Sequence, residues 1–74
     1  MKISLKLFAT FQEGRFAARE IHVQDGATVG DVACLLSIPS VEIGIILINS
    51  RHALLSTPLA AQDCLALFPL IGGG

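Results

Sequence analysis

The sequence predicts a single α+β domain, a roll in which one main helix packs against a mixed β-sheet. The chain has 74 residues, which is enough for one small domain. Its composition is 53% hydrophobic and 15% charged, which is typical of a globular protein and excludes a disordered segment. The segments follow the order strand, strand, helix, strand, short strand, strand. Because a helix that connects strand pairs packs on one face of their sheet, the other face is expected to be uncovered.

Two strands are predicted before the helix. From Lys2 to Leu7, polar and apolar residues alternate with the period of two that is typical of a half-buried strand. Residues 8–14 break this pattern and end on a glycine, which indicates a connecting loop. A second strand is predicted at residues 19–23, and the Gln-Asp-Gly sequence of residues 24–26 favours a turn after it.

The helix is predicted at residues 29–37. Thr28 and Asp31 have the spacing of a capping box, with Asp in the place of the usual Glu. Apolar residues recur at helical spacing from Val29 to Leu36. Pro39 ends the helix, because the residue before a proline is pushed out of the helical region.

The second half of the chain predicts three further strands. The run Ile43–Ile48 is apolar at both its odd and its even positions, so both faces of this strand are apolar. The turn pair Asn49-Ser50 follows it. A short return strand is predicted at residues 53–55, and a final strand at residues 64–68 is ended by Pro69. Such a doubly apolar strand has both faces covered or leaves one face exposed for a partner. With one helix available, we expect an exposed apolar surface opposite it.

The core is predicted to lie between the sheet and the helix. Its members come from the first strand, the helix and two later strands: Leu5, Leu7, Val32, Leu36, Ile46 and Leu67. The two cysteines, Cys34 and Cys64, are interpreted as small buried residues with reduced thiols, as in a cytoplasmic protein. One disulfide in a secreted domain is the alternative.

Composition excludes several classes of partner. The formal net charge is −1, and a protein held on nucleic acid by counterion release needs a basic excess. The aromatic residues are four Phe without Tyr or Trp, which argues against a base-stacking platform. No apolar stretch approaches the roughly 20 residues that span a bilayer. We therefore expect a cytoplasmic protein that binds neither nucleic acid nor a membrane.

The side chains offer little catalytic chemistry. No glycine-rich phosphate motif is present, and the carboxylates are scattered without a pair that could divide acid and base roles. His22 and His52 have no further His or Cys at ligand spacing, so no metal site is expected. The sequence thus predicts a protein that is not an enzyme and holds no cofactor of its own.

The run Gly72-Gly73-Gly74 is the feature that points to a function. Glycine lets a backbone enter a channel that is too narrow for any Cβ, and the five residues after Pro69 extend about 17 Å when fully stretched. The Gly74 carboxylate would then be the reacting group, and a carboxylate needs an ATP-dependent partner to activate it. A flexible end or a linker left by cloning is the plainer interpretation.

Over its whole length, beginning with the opening strand Lys2–Phe8, the sequence resembles the small, sulfur-carrying subunit of molybdopterin synthase (MoaD) and its ThiS-like relatives. The segment from Asp25 to Val32 is similar to the family's "gaTvgdL" helix start, and residues 45–49 resemble its "vlvNG" strand and turn. The end of the chain, from Leu67 to Gly74, is similar to "lfPPvaGG". Ser50 replaces the usual turn glycine, and Gln62 precedes Asp63 where Gly-Asp is common.

The resemblance implies a ubiquitin-like β-grasp domain over residues 1–71 and a flexible glycine tail over residues 72–74. It implies that a MoeB/ThiF-like enzyme uses ATP and Mg²⁺ to adenylate Gly74, and that sulfur from a persulfide donor replaces AMP to leave a thiocarboxylate. The tail, with Gly72 and Gly73 threaded through a channel, would enter a MoaE-like large subunit in a heterotetramer. There it would donate sulfur to the molybdopterin precursor.

Three alternatives stay open at this point. The chain could be a carrier for thiamin thiazole, a tungsten cofactor or another thio-metabolite. It could be a β-grasp interaction module without tail chemistry, or a ubiquitin-like modifier that forms isopeptide bonds through Gly74. If the chain is a carrier of either kind, we expect its partner to bind the uncovered sheet face. Phe68 would be the aromatic anchor, with Phe8, Ile45 and Leu47 around it.

Overall fold

A computed structural model describes residues 1–70, in which five strands form one mixed sheet. The strands are β1 (Lys2–Leu7), β2 (Ala18–His22), β3 (Ile43–Ile48), β4 (Arg51–His52) and β5 (Cys64–Pro69). Their order across the sheet is β2-β1-β5-β3-β4. The central pair β1 and β5 is parallel and the other pairs are antiparallel. The predicted α+β roll is confirmed, and the predicted glycine tail lies outside the described residues.

One α-helix, α1 (Val29–Leu35), packs against the sheet, and short 3-10 turns lie at Ala9–Gln12 and Ser40–Glu42. The predicted capping box is present, because Thr28 Oγ1 accepts from the Asp31 N–H at 3.2 Å and Asp31 Oδ2 accepts from the Thr28 N–H at 2.9 Å. The helix ends before the predicted Ser37. Ser37 has φ +59° and the Ile38 N–H donates to the Ala33 carbonyl, which is a Schellman termination.

The return strand was predicted at the wrong position, since β4 is Arg51–His52 and not residues 53–55. The chain turns at once through Asn49 and Ser50 and pairs with the last two residues of β3. It then leaves the sheet because residues 54–57 are bonded elsewhere. The Leu54 N–H donates to Thr57 Oγ1, and the Gly30 N–H in α1 donates to the Leu55 carbonyl.

The core lies between α1 and one face of the sheet, as predicted. Its eleven buried members are Ile3, Leu5, Leu7, Phe11, Val29, Val32, Ala33, Ile38, Leu59, Leu65 and Leu67. Leu36 and Ile46, which were predicted as core residues, are only partly buried and pack against its edge. Leu36 is the C-cap of the shortened helix, and Ile46 lies on a strand near the sheet margin.

The prediction that both cysteines are buried is wrong for Cys34, which is exposed, while Cys64 is half-buried. Val29, Val32 and Ala33 form the buried stripe of α1, and Cys34 lies beside it on the solvent side. Both thiols are free, so no disulfide joins them. No helix within residues 1–70 is long and apolar enough to cross a membrane.

Two of the turns contain residues other than glycine in the left-handed region. Ser50 has φ +70° and Gln62 has φ +69°, at the two positions where the sequence departs from a glycine-containing turn. Asn49 also has a positive φ, of +52°, so residues 49 and 50 have the backbone of a type I′ hairpin turn. Ser50 and Gln62 therefore leave the turns intact, but each places a Cβ at a position where glycine is preferred.

We expect Ser50→Gly and Gln62→Gly each to stabilise the domain by about 1 kcal/mol, because glycine removes the left-handed penalty of a residue with a Cβ. Urea denaturation of each variant measures this change. Ser56→Gly is the matched control, since Ser56 is an exposed turn residue that has no positive φ. A gain in the control equal to that in Ser50→Gly would show that the backbone conformation is not the cause.

Candidate functional site: the uncovered sheet face and the chain exit

Within residues 1–70 no helix or strand covers the sheet face opposite α1, and the strand pleat decides which residues it carries. On β1, the residues Ile3, Leu5 and Leu7 are buried against the core, so the even-numbered residues point the other way. On β5, Leu65 and Leu67 are buried in the same manner. We call the opposite surface the open face; it is formed by Lys2, Ser4, Lys6, Phe8, Ala18, Glu20, His22, Ile45, Leu47, Ala66 and Phe68.

Two phenylalanines form the centre of the apolar half of the open face. The rings of Phe8 and Phe68 stack with their centroids 4.1 Å apart and their planes 8° from parallel. Phe8 lies just after β1, where its N–H donates to the Leu67 carbonyl at 3.2 Å. Both side chains are half-exposed, so the stack forms a rigid apolar plate with one surface toward solvent.

Ile45 and Leu47 extend this plate onto β3. In the register of β3 and β5, Ile45 lies opposite Phe68 and Leu47 opposite Ala66. Ile45 remains 42% exposed. The structure therefore brings together on one face the four residues that the sequence proposed for partner docking, and their docking role stays a prediction.

The other half of the open face is polar. Lys2 Nζ lies 3.9 Å from Glu20 Oε2 across the β1–β2 pair, with both side chains at least half exposed. An ion pair so exposed contributes little to stability. Lys6 lies nearer the aromatic plate, between Ala18 and Ala66 on the neighbouring strands. The face thus changes from charged to apolar toward the end of β5.

The chain leaves the sheet at the apolar end of the open face. The Leu70 N–H donates to the Glu42 carbonyl at 2.9 Å, which holds the last described residue against the segment before β3. A Cβ on Gly44 would lie 2.9 Å from the Pro69 carbonyl oxygen and 3.1 Å from the Leu70 Cα. Gly44 is therefore needed for this close approach. The residues predicted to carry the chemistry, Gly72, Gly73 and Gly74, lie outside the described residues.

Sequence reasoning did not single out Gly44, although a signal was present. A glycine inside an otherwise apolar strand often marks a bulge or a close backbone contact. Here it marks both, because the register between β3 and β5 shifts between Ile43 and Ile45.

Within residues 1–70 there is no cluster of three His, Cys, Asp or Glu side chains that could hold a metal ion. Asp63 has a structural role, since its carboxylate accepts from the Asn49 side chain and from the Ala60 N–H. Asn49 in turn accepts from the Cys64 N–H. What the described part of the chain offers is an apolar platform next to the chain exit, an arrangement suited to binding a partner.

Comparisons with known proteins agree with this architecture. The ThiS family model matches residues 5–74. A search of curated proteins finds no match. Among solved structures, small archaeal modifier protein 1 (SAMP1) from Haloferax volcanii is 32% identical, with 100% of both chains covered and a TM-score of 0.76. The HVO 2177 protein of the same organism is 30% identical, covering 100% of this chain and 87% of its own, with a TM-score of 0.81.

A third similar structure is a complex of subunits 1 and 2 of the molybdopterin-converting factor from Helicobacter pylori. The identity is 20%, both chains are covered completely, and the TM-score is 0.66. At this identity the likeness shows the fold alone. With a helix on one face of a five-stranded mixed sheet, the fold is the ubiquitin-like β-grasp.

Proposed function

The chain belongs to the ThiS family of ubiquitin-like sulfur carriers, and we propose that its Gly74 carboxylate is adenylated and then converted to a thiocarboxylate. A MoeB/ThiF-like enzyme would form the acyl-adenylate from ATP and Mg²⁺ and release pyrophosphate. The outer sulfur of a persulfide donor would then attack the acyl-adenylate and displace AMP, and a thiol would reduce the resulting acyl disulfide to the thiocarboxylate. Gly72 and Gly73 would pass through the partner's channel, since neither has a Cβ to obstruct it.

The observation that carries this proposal is the placement of the apolar plate beside the chain exit. Phe68 belongs to the last strand, and Gly74 follows it by only six positions in the sequence. A partner that binds the open face therefore holds the glycine run within reach of its own active site. In this proposal the domain supplies the reacting carboxylate and the docking surface, and the catalytic side chains belong to the partner.

The test is activation by the purified MoeB/ThiF-like enzyme of the same organism. We expect pyrophosphate release that requires ATP, Mg²⁺ and the full chain together. The proposal would be contradicted if this chain causes no pyrophosphate release with an enzyme that does activate other carrier proteins. It would leave the interaction module, without tail chemistry, as the remaining interpretation.

For the sulfur acceptor we propose a molybdopterin precursor bound to a MoaE-like large subunit, with two copies of each subunit in a heterotetramer. Support comes from the ending Phe68-Pro69 and from the shared fold with the molybdopterin-converting factor complex. A thiazole or tungsten-cofactor pathway would use the same carrier chemistry. Incubating the thiolated chain with each large subunit and measuring sulfur transfer distinguishes these acceptors.

Phe68→Ala should weaken binding to the large subunit or the activating enzyme by about thirtyfold, because a central aromatic anchor contributes about 2 kcal/mol or more. The variant also removes half of the Phe8–Phe68 stack. Isothermal titration calorimetry measures the affinity, and circular dichroism shows that the domain is folded. Ser4→Ala, at the charged end of the same face, is the control. Unchanged affinity in folded Phe68→Ala would show that the open face is not the docking site.

A second function is favoured by one specific observation, the 32% identity to SAMP1 over the whole chain. That protein is named as a modifier, so this chain could form isopeptide bonds between Gly74 and lysines of other proteins. The chain has no Lys or Arg after Arg51, so trypsin would leave a remnant of residues 52–74 on a target. Chymotrypsin, which cuts after Leu70, leaves the short Ile-Gly-Gly-Gly remnant. Finding that remnant on lysines in the source cells supports this second function.

A further inference from the structure

Most of the exposed large apolar side chains lie around the chain exit. Residues 1–70 contain six such side chains, and one of them, Leu35 on α1, lines a different groove together with His22 and Asp25. The other five are 36–79% exposed and are here called the exit collar: Val41, Ile45, Leu54, Leu55 and Leu70. Scattered exposed leucines are normal, but a cluster of them marks an interaction surface.

Three separate segments build the collar. The hydrogen bond from the Leu70 N–H to the Glu42 carbonyl places the exit beside the short turn that contains Val41. Ile45, Leu54 and Leu55 line a groove of about 320 Å³. This groove exists because β4 pairs with only the last two residues of β3, so the first half of β3 has β5 on one side and no strand on the other.

We propose that the exit collar is the contact surface for the apolar rim of the partner channel that receives the glycine run. This inference rests on the proposed function, in which Gly74 carries the reacting carboxylate. Four residues follow Leu70, and at full extension they reach about 14 Å. The partner's reacting atoms therefore lie within that distance of Leu70. When an active site is enclosed in protein at this depth, the rim of the channel that leads to it lies against the surface around the chain exit.

The chemistry of the collar specifies an apolar rim. All five side chains are hydrocarbon, and a charged rim pressed against them would lose its hydration without gaining a hydrogen-bond partner. The collar is also continuous with the open face, because Ile45 belongs to both. One partner surface can then cover the aromatic plate and enclose the exit together.

The test compares variants in activation by the MoeB/ThiF-like enzyme, with pyrophosphate release measured against the concentration of the full chain. Val41→Asn and Leu54→Asn are combined, since asparagine removes apolar contact without adding charge. We expect the KM for the double variant to rise at least about tenfold with kcat nearly unchanged, the size of effect that loss of interface anchors produces. Leu35→Asn is the matched control, since Leu35 is 66% exposed and lines a different groove. It should stay within about twofold of the unmodified chain, as a residue outside the interface does.

Melting curves establish that each variant is folded, and Val41→Thr with Leu54→Thr replaces the double variant if it is not. If the unmodified chain is activated and the folded collar variants match Leu35→Asn, the collar assignment is overturned while the proposed function stands. If the unmodified chain is not activated at all, the proposed function fails, and the collar assignment fails with it.

Discussion

Removal of Gly74 should abolish ATP-dependent activation of the chain and leave its domain folded. The carboxylate would then end on Gly73, one residue short, about 3.5 Å farther from the partner's reacting atoms. Reacting atoms must approach to about 3–3.5 Å, so a displacement of this size prevents attack on ATP. Pyrophosphate release, measured with the unmodified chain in parallel, tests this expectation.

The melting temperature is the internal control for this variant. Glycines have no side chain and bury little apolar surface, so deleting residues 72–74 should change stability by no more than a surface substitution does. Docking should also persist, because the open face is unaltered. A variant without Gly74 that is still activated would contradict the assignment of the reacting group. A large fall in melting temperature would show that the glycines are structural.

Leu67→Ala should be the most costly single substitution in the fold. Leu67 is completely buried, and its neighbours across the sheet are Leu7 on β1 and Ile46 on β3. Truncating a buried leucine costs about 2–5 kcal/mol, against a total stability of roughly 5–15 kcal/mol for a typical domain. Guanidinium denaturation should therefore show a markedly lower midpoint, or a chain that does not fold.

Two controls make this stability test specific. Leu54→Ala, at a 69% exposed position, should change the free energy of unfolding by no more than about 0.5 kcal/mol. Helical spacing alone places Leu36→Ala among the most costly changes. Its loss of stability should nevertheless be smaller than that of Leu67→Ala, because Leu36 is only partly buried. Equal losses for Leu67→Ala and Leu54→Ala would contradict the core described above.

Most of the fold follows from local patterns in the sequence. The alternation from Lys2 to Leu7 fixes which side of β1 is buried, and the capping box at Thr28 fixes where α1 begins. The apolar run Ile43–Ile48 predicts an exposed apolar face, since one helix cannot cover both sides of the sheet. The four residues proposed for docking come from three separate segments of the chain and consequently lie on that face.

The remaining features depend on contacts between segments that are distant in sequence. The position of β4 depends on the bonds that tie residues 54–57 to α1, and no periodicity in residues 51–57 reveals them. The helix end depends on Ser37 adopting a positive φ, which a serine gives little reason to expect. The exit collar has the same origin, because only the tertiary fold places the segments that contain Val41 and Leu54 near the chain exit.

The central claim is that the chain carries sulfur on its terminal carboxylate, and the intact mass of the chain tests it most directly. The full chain is incubated with the activating enzyme, ATP, Mg²⁺, a persulfide donor and a thiol reductant and then measured by mass spectrometry. Cys34→Ser is used alongside, because this exposed thiol could itself take up a sulfur atom. We expect, in both proteins, a gain equal to the difference between one sulfur and one oxygen atom, located in the peptide that contains Gly74. A gain of a whole sulfur atom that disappears in Cys34→Ser, or no gain at all, would contradict it.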